Sequence, residues 1–343
     1  MQPSFLLRGM SANGTLRIIA ADTTELVQQA LENHGASLTA GAALGRTLTA
    51  NVLLSHALLK DHRDRLTIRV RGNGPLGGII TEGGLDGTVR GYVQHPTIDL
   101  PLRDSDGKLA VGEAVGAGDL EIIRSHAPYG DPYSTTVELV SGEIAEDVAA
   151  FLYHSEQIPS AVMLGVSFHA DGTVQHAGGI IVQALPDVED SALTLLEANI
   201  RAFGQLTERM AQHDLLHLLR EEIAWGMGYD NLTEDPLPLK FQCECTNERA
   251  LNILGYFTAS ERQEMIDRDG GAEVVCHWCN TARWITGEEI TAFNERISDT
   301  EVRCPACGTV WYRNDGVITV RDGEICSCGR PVEIPDYHAE TTN

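Results

Sequence analysis

The spacing of apolar residues in the first half of the chain predicts helices and strands that enclose one hydrophobic core. Apolar residues at helical spacing follow a capping signal, Asp22 with Glu25, and end at Gly35. The segment 39–60 is apolar or small on nearly every side, which is typical of a helix surrounded by other elements. We therefore expect a first amphipathic helix and then a central one.

Alternation of apolar and polar residues predicts the strands. It is strict in residues 65–71, and residues 88–93 form another strand-like segment. The glycine-rich segment 72–78 lacks the Lys-Ser/Thr ending of a phosphate-binding loop and leads into a further strand-like segment. A tight turn is therefore expected there, within a meander of strands.

A third helix and two more strands complete the predicted N-terminal domain. Ser141 is expected to cap a helix that runs to about Ser155. Residues 161–168 and 178–184 are strand-like. Beyond Pro186 the apolar residues form a narrow helical stripe, as expected of a helical linker.

Composition and charge narrow the possible functions. The 343 residues include 25 basic and 49 acidic side chains, for a formal net charge of −24. This charge opposes sequence-independent binding to nucleic acid. No stretch reaches the roughly 18 apolar residues of a membrane span. We expect a cytoplasmic protein without a nucleic-acid or membrane partner, and cysteine-free sequence over about the first 240 residues fits a reducing compartment.

The cysteines carry the strongest chemical signal. Cys243 and Cys245 form a C-x-C pair, and Cys276 and Cys279 form a C-x-x-C pair after thirty intervening residues. Two close thiolate pairs on separate pieces of chain are typical of a closed tetrahedral zinc site, and such a small segment needs metal to complete its core. His277 is expected outside the ligand set, because four thiolates fill a tetrahedron. A thioredoxin-like dithiol site is disfavoured because the two pairs complement each other.

A second cysteine set follows the first. Its members are Cys304, Cys307, Cys326 and Cys328. A glycine follows each pair, and a predicted hairpin turn at 314–316 lies between them, so the segment resembles a zinc ribbon and a second structural zinc is expected. The extension could serve as a redox sensor, a docking module or a stabilising cap, and ligands of the two sets could mix. Its acidic neighbourhood argues against nucleic acid.

Several motifs in a fixed order accompany the first cysteine set. They lie at residues 43–50, 72–78, 139–147 and 155–161. Together with the cysteine spacing, they make the chain similar to the 33-kDa heat-shock protein family of redox-regulated holdase chaperones. The resemblance covers about residues 4–293. The second cysteine set departs from it, because the family usually ends soon after the C-x-x-C pair.

The resemblance implies a fold, a cofactor and a switch. In the reduced state, Cys243, Cys245, Cys276 and Cys279 would bind one Zn²⁺. Oxidation would form the Cys243–Cys245 and Cys276–Cys279 disulfides, release the metal and unfold the linker, and a homodimer would form. The exposed linker would then bind unfolding client proteins without ATP. Its client-binding candidates are Leu193, Leu196, Ile200, Leu215, Leu218 and Leu219. The alternative is that these residues pack the linker onto the N-terminal domain, and both interpretations can hold in different redox states.

The sequence thus predicts an α+β protein, a chaperone and not an enzyme. The predicted divisions are a mixed sheet-and-helix domain at 1–186, a helical linker at 187–240, a zinc-binding redox domain at 241–295 and a zinc-ribbon-like extension at 296–343. Two alternatives remain. One is a zinc-dependent enzyme, which all-cysteine ligand sets disfavour, and the other is a zinc-ribbon nucleic-acid-binding protein, which the charge disfavours.

Overall fold

A computed structural model describes residues 2–126, 132–298, 301–303, 310–314 and 317–318. The chain divides into two compact units. The first comprises Met1–Glu244 together with His277–Thr281, and the second comprises Cys245–Cys276 and the chain from Ala282 onward. Cysteines of the second set, Cys304, Cys307, Cys326 and Cys328, lie outside the described residues.

The first unit contains two sheets and a set of helices. Its elements are β1 (Phe5–Ser11), β2 (Leu16–Asp22), α1 (Thr24–His34), α2 (Leu38–Leu58), β3 (Asp64–Gly72), β4 (Gly78–Gly83), β5 (Thr88–Val93), α3 (Val111–Val115), β6 (Gly118–His126), β7 (Tyr133–Glu138), α4 (Ala145–His154), β8 (Ser160–Phe168), β9 (Val174–Ala184), α5 (Asp190–Phe203), α6 (Leu206–Met210), α7 (Leu215–His217), a π-helical turn (Leu218–Ile223), β10 (Tyr229–Asn231), β11 (Leu237–Pro238) and β12 (Lys240–Phe241).

Each sheet has six strands. The first has the order β10-β1-β2-β9-β8, with β11 also paired to β1, and the second has the order β12-β5-β4-β3-β6-β7. The described pairings are antiparallel except that of β12 with β5, which is parallel. Strands from residues 229–241 thus complete both sheets. The division of the N-terminal domain from the linker at residue 186 stays a prediction.

Helix α2 lies at the centre of the first unit, as its apolar sequence predicts. It packs against strands of both sheets. Ser37 caps it, because its hydroxyl accepts a hydrogen bond from the backbone N–H of Ala40. The predicted alternation of β3 is also confirmed, since Leu66, Ile68 and Val70 are buried against the core. The glycine-rich segment after it is the predicted turn into β4.

The predicted start of the third helix is wrong by about one turn. Helix α4 begins at Ala145, and Ser141 lies in the loop before it. The buried carboxylate of Asp147 accepts hydrogen bonds from the backbone N–H groups of Val140, Ser141 and Ile144 at 2.7–3.0 Å. This carboxylate holds the loop before the helix in a non-helical conformation, and within that loop the Ser141 hydroxyl accepts a hydrogen bond from the Glu143 N–H at 3.1 Å.

The linker segment packs on the first sheet. The segment from α5 to the π-helical turn buries apolar residues in one cluster with residues of β1, β2 and β9, and these residues include Leu196, Leu215, Leu218 and Leu219. Asn199 of α5 donates hydrogen bonds to the carbonyls of Ile223 and Trp225 at 3.0 and 2.9 Å. The linker is therefore folded, with its apolar stripe covered.

The second unit is smaller. Its elements are α8 (Asn247–Leu254), α9 (Ala259–Asp269), β13 (Gly271–Val275), β14 (Ala282–Thr286), α10 (Gly287–Ser298), β15 (Glu301–Arg303), β16 (Val310–Asn314) and β17 (Val317–Ile318). Strands β16 and β17 pair antiparallel, which confirms the predicted hairpin between the second-set cysteines. The α+β fold class is likewise confirmed.

The core of the second unit, as far as the structure describes it, is small. Ala250, Leu254, Ile285 and Ile290 form its buried cluster. The buried guanidinium of Arg262 donates to Asn294 Oδ1 and to the carbonyls of Leu254 and Phe257. So small an apolar core contributes little stability by itself. Among the described residues of either unit, no helix is long and apolar enough to cross a membrane.

Candidate metal centre

The first cysteine set comes together as predicted. The sulfur atoms of Cys243, Cys245, Cys276 and Cys279 all lie within 4.8 Å of one another. Cys279 is buried and the other three are half-buried. Four thiolates around zinc at bond lengths of about 2.3 Å would place the sulfurs roughly 3.8 Å apart, which a small adjustment of these side chains achieves. The four cysteines can therefore hold a metal ion.

Strand β12 positions the C-x-C pair. Its parallel pairing with β5 continues in a hydrogen bond from the Gln242 N–H to the carbonyl of Val89, at 3.0 Å. This register brings Cys243 beside Arg90 of β5, whose Nη1 lies 3.9 Å from the Cys243 sulfur. Arg90 is held in turn by Glu82 of β4, at 2.6 Å.

Two guanidinium groups lie at the thiolates. Burial acts to lower the pKa of Arg90, but Glu82 and Cys243 outweigh it and the pKa is raised. Arg283 of β14 lies 3.5 Å from the Cys245 sulfur and donates to the Cys245 carbonyl at 2.8 Å. A divalent ion on four thiolates carries a net charge of −2. These arginines offset that charge, so the donor set and its surroundings fit Zn²⁺.

The C-x-x-C knuckle follows β13 and is anchored within the first unit. The side-chain amide of Asn280 donates to the carbonyl of Asn33 at 3.0 Å, and Nε2 of His34 lies 3.2 Å from the carbonyl of Trp278. Burial lowers the pKa of His34, although hydrogen bonds to backbone carbonyls oppose this, so the neutral imidazole is favoured at neutral pH. The end of α1 therefore holds the knuckle backbone.

Trp278 is the side-chain anchor of the knuckle. The Arg90 guanidinium carbon lies 4.6 Å from the centre of its ring, and Tyr92 packs edge-on at 5.7 Å. Arg90 thus contacts both a cysteine of one pair and the tryptophan of the other. His277 is exposed and lies against Tyr92, at 6.0 Å between ring centres. The group of metal-ligating side chains at this centre consists of the four cysteines alone among the described residues.

Sequence reasoning missed Arg90, Tyr92 and Arg283. Arg90 and Cys243 are 153 positions apart, so nothing local in the sequence connects them. Arg90 belongs to an ordinary alternating strand. Arg283 could have been found from the sequence, because it lies four residues after Cys279, on the strand that pairs with β13.

Replacing Trp278 by alanine is expected to loosen the knuckle. Loss of a cation–π contact and an aromatic contact costs about 1–3 kcal/mol together. Hydrogen exchange of the backbone amides of 277–281 should rise accordingly. The matched control is Trp225→Ala, since Trp225 is 60% exposed. Equal hydrogen exchange of residues 277–281 in the two variants would show that the Trp278 side chain does not stabilise the C-x-x-C turn.

The six client-binding candidates of the linker pack against the first sheet in this structure. Leu196, Leu215, Leu218 and Leu219 are buried, and Leu193 and Ile200 pack partly buried against the same cluster. In this conformation the packing interpretation describes all six residues. They become available to another protein only if the linker leaves the sheet.

A two-sheet α+β unit, a smaller unit and four clustered cysteines define the class of this protein, an α+β protein with a candidate thiolate metal centre. Comparison with known proteins specifies it further. The family model described as Hsp33 protein matches residues 4–286. The chain belongs to this family, as the resemblance in its sequence predicted, and it is a chaperone.

Similar proteins support the assignment along most of the chain. The 33 kDa chaperonin of a Thermus thermophilus strain is 47% identical over 339 residues, with 96% of this chain and 97% of the relative covered. That of Deinococcus radiodurans is 48% identical over 292 residues, with 84% and 98% covered. The crystal structure of the 33 kDa chaperonin from Thermotoga maritima matches with a TM-score of 0.77 and 32% identity, covering 86% of this chain and 99% of that one.

The extension is shared with some relatives. Residues 296–343 are about 14% of the chain, so a match over 96% of it must run into them. The Thermus thermophilus relative therefore has sequence that aligns with at least part of the extension. The departure from the usual family length is a feature of a group of relatives and not of this chain alone.

Proposed function

We propose that the protein is an ATP-independent holdase that oxidation activates. The observation that carries the proposal is the convergence of four cysteine sulfurs within 4.8 Å. In the reduced state Cys243, Cys245, Cys276 and Cys279 would bind one Zn²⁺. Bound there, zinc supplies structural cross-linking of the two cysteine pairs, and a filled thiolate tetrahedron leaves no position for a substrate.

The switch is oxidation of these thiolates. Two thiolates, one peroxide molecule and two protons give one disulfide and two water molecules, so the sulfurs lose two electrons to the peroxide. The proposed pairs are Cys243–Cys245 and Cys276–Cys279. Each disulfide removes two ligands from the metal, and the cross-link between the pairs is lost with them.

Loss of the cross-link reaches the linker along the chain. Cys243 lies two residues after the end of β12, and β10 and β11 lie in the chain between that strand and the π-helical turn. Strands β10 and β11 are only three and two residues long, so little backbone pairing holds this part of the chain to β1. We infer that disorder after Phe241 spreads backward through these short strands and releases the linker stripe.

The released stripe would bind clients. Leu193, Leu196, Ile200, Leu215, Leu218 and Leu219 would together expose apolar surface of the kind that captures unfolding proteins. Activation by homodimer formation, a cytoplasmic location and a second zinc on Cys304, Cys307, Cys326 and Cys328 belong to the same proposal. A reducing cytoplasm would keep the cysteines reduced and bound to metal until an oxidant enters.

The experiment is an aggregation assay with an unfolding client protein. Protein treated with peroxide at raised temperature should suppress client aggregation without ATP, whereas reduced protein should not. Treatment with a thiol reductant and zinc should abolish the effect again. Oxidised protein that has lost its zinc and still leaves aggregation unchanged would contradict the proposal.

A further inference from the structure

The linker carries a second group of metal-ligating side chains. Ligand atoms of His213, His217 and Glu222 all lie within 4.8 Å of one another. His213 lies in the loop after α6, His217 ends α7, and Glu222 lies in the π-helical turn. The two imidazole rings are stacked, with their centres 4.2 Å apart and 23° between their planes. The group is therefore assembled by three consecutive pieces of backbone.

The backbone explains why these side chains meet. In a π-helical turn, residues five apart lie on one face, and the hydrogen bond from the Ala224 N–H to the Leu219 carbonyl at 2.9 Å has this spacing. Glu222 therefore lies on the same face as His217, which precedes it by five positions. The carboxylate of Asp214 accepts from the His217 N–H at 2.9 Å and holds the loop against the helix. Turns of this type are uncommon and occur frequently at functional sites.

The ligand chemistry selects a class of metal. Imidazole with carboxylate suits Zn²⁺, Ni²⁺ or Cu²⁺, whereas Ca²⁺ and Mg²⁺ prefer oxygen ligands alone. Zinc–nitrogen bonds of about 2.0–2.1 Å put tetrahedral donor atoms roughly 3.4 Å apart, so the ligand atoms must close by at most about 1.4 Å from the 4.8 Å limit. His213 is exposed and His217 and Glu222 are half-buried, so rotation of the side chains can supply this movement.

We propose that His213, His217 and Glu222 bind a divalent transition-metal ion at a site separate from the cysteine centre. Three protein ligands leave a fourth position on the ion for water. Arg209 lies 3.4 Å from Glu222 Oε2 and neutralises the carboxylate when no metal is bound. The site uses linker residues alone, so it does not depend on what the cysteines hold.

The ion would fasten the linker in its folded conformation. Its ligands span residues 213–222, and the buried Leu218 and Leu219 lie between them. An ion that bridges the loop and the π-helical turn stabilises the folded segment by mass action, because the unfolded linker lacks the preformed ligand set. Metal binding should therefore slow opening of this part of the linker.

The test is nickel binding to the full chain, reduced and already loaded with zinc. Calorimetry should show one Ni²⁺ site whose affinity falls at least about tenfold in His213→Gln and in His217→Gln. The matched control, His154→Gln, replaces an exposed histidine at the end of α4 and should bind nickel as the parent does. Proteolysis within residues 204–226 should slow on nickel addition in the parent and the control only.

Two results would overturn the site. One is unchanged nickel affinity in both histidine variants, and the other is nickel uptake matched by equal release of zinc, which would place the nickel at the cysteines. Absence of zinc from the cysteines of the reduced chain would contradict the proposed function. It would not change the expected fall in nickel affinity of the histidine variants. The two proposals can thus fail independently.

Discussion

Removal of the metal is expected to unfold the second unit while α2 and β3 of the first unit remain folded. Structural zinc contributes about 10–16 kcal/mol in small zinc modules, which is comparable to the roughly 5–15 kcal/mol total stability of an ordinary domain. The described apolar core of this unit is the small cluster around Leu254 and Ile285. That cluster cannot replace the contribution of the metal.

Hydrogen exchange measures the effect of metal removal directly. In reduced protein treated with a strong chelator, amides of α8, α9 and β13 should exchange as in an unfolded chain, and those of α2 and β3 should stay protected. Adding zinc back should restore protection, which controls for irreversible damage. Cys276→Ser should reproduce the change without chelator. Protection in α9 that survives complete metal loss would mean that the unit folds on its own residues.

Weakening the linker is expected to activate the chaperone before oxidation. Leu218 is fully buried in the cluster on the first sheet, and Leu218→Ala leaves a cavity there. Such truncations cost about 2–5 kcal/mol, and here the loss falls on the apolar cluster that holds the linker against the first sheet. The variant should suppress client aggregation while reduced, and it should need less peroxide for full activity.

Leu232→Ala is the matched control for the linker variant. Leu232 lies in the same part of the chain but is 58% exposed, so its truncation should change neither stability nor activity. Zinc content should equal that of the parent in both variants, because the cysteines are untouched. The reduced Leu218→Ala protein could lose hydrogen-exchange protection of the linker and still fail to suppress client aggregation. This result would contradict the claim that release of the linker is enough for client binding.

Sequence alone predicts the elements whose patterns are local and strong. Helix α2 is apolar on all sides because it lies between two sheets, and β3 alternates because one face meets that helix. The C-x-C and C-x-x-C spacing likewise predicts the metal centre, since each pair needs only its own short turn to present both sulfurs. These features are encoded within a few residues.

Features that depend on distant contacts escape sequence reasoning. The start of α4 was misplaced because Asp147 reaches back and binds the amides ahead of the helix. Arg90 meets Cys243 and Trp278 only after β12 has paired with β5. The pairing of the short strands β10 and β11 with β1 is also long-range, and no turn motif in the sequence indicates it. In each case a contact between distant parts of the chain decides the outcome.

Hydrogen exchange of α5 and the π-helical turn, compared between reduced and oxidised protein, tests most directly whether the cysteines control the linker. We expect strong hydrogen-exchange protection of residues 190–223 while zinc is bound, and we expect both the protection and the zinc to be lost after peroxide treatment. Protection should return when thiols are reduced and zinc is supplied. A linker that stays protected after the zinc has gone would contradict this mechanism, because the cysteines would then not control the proposed client-binding surface.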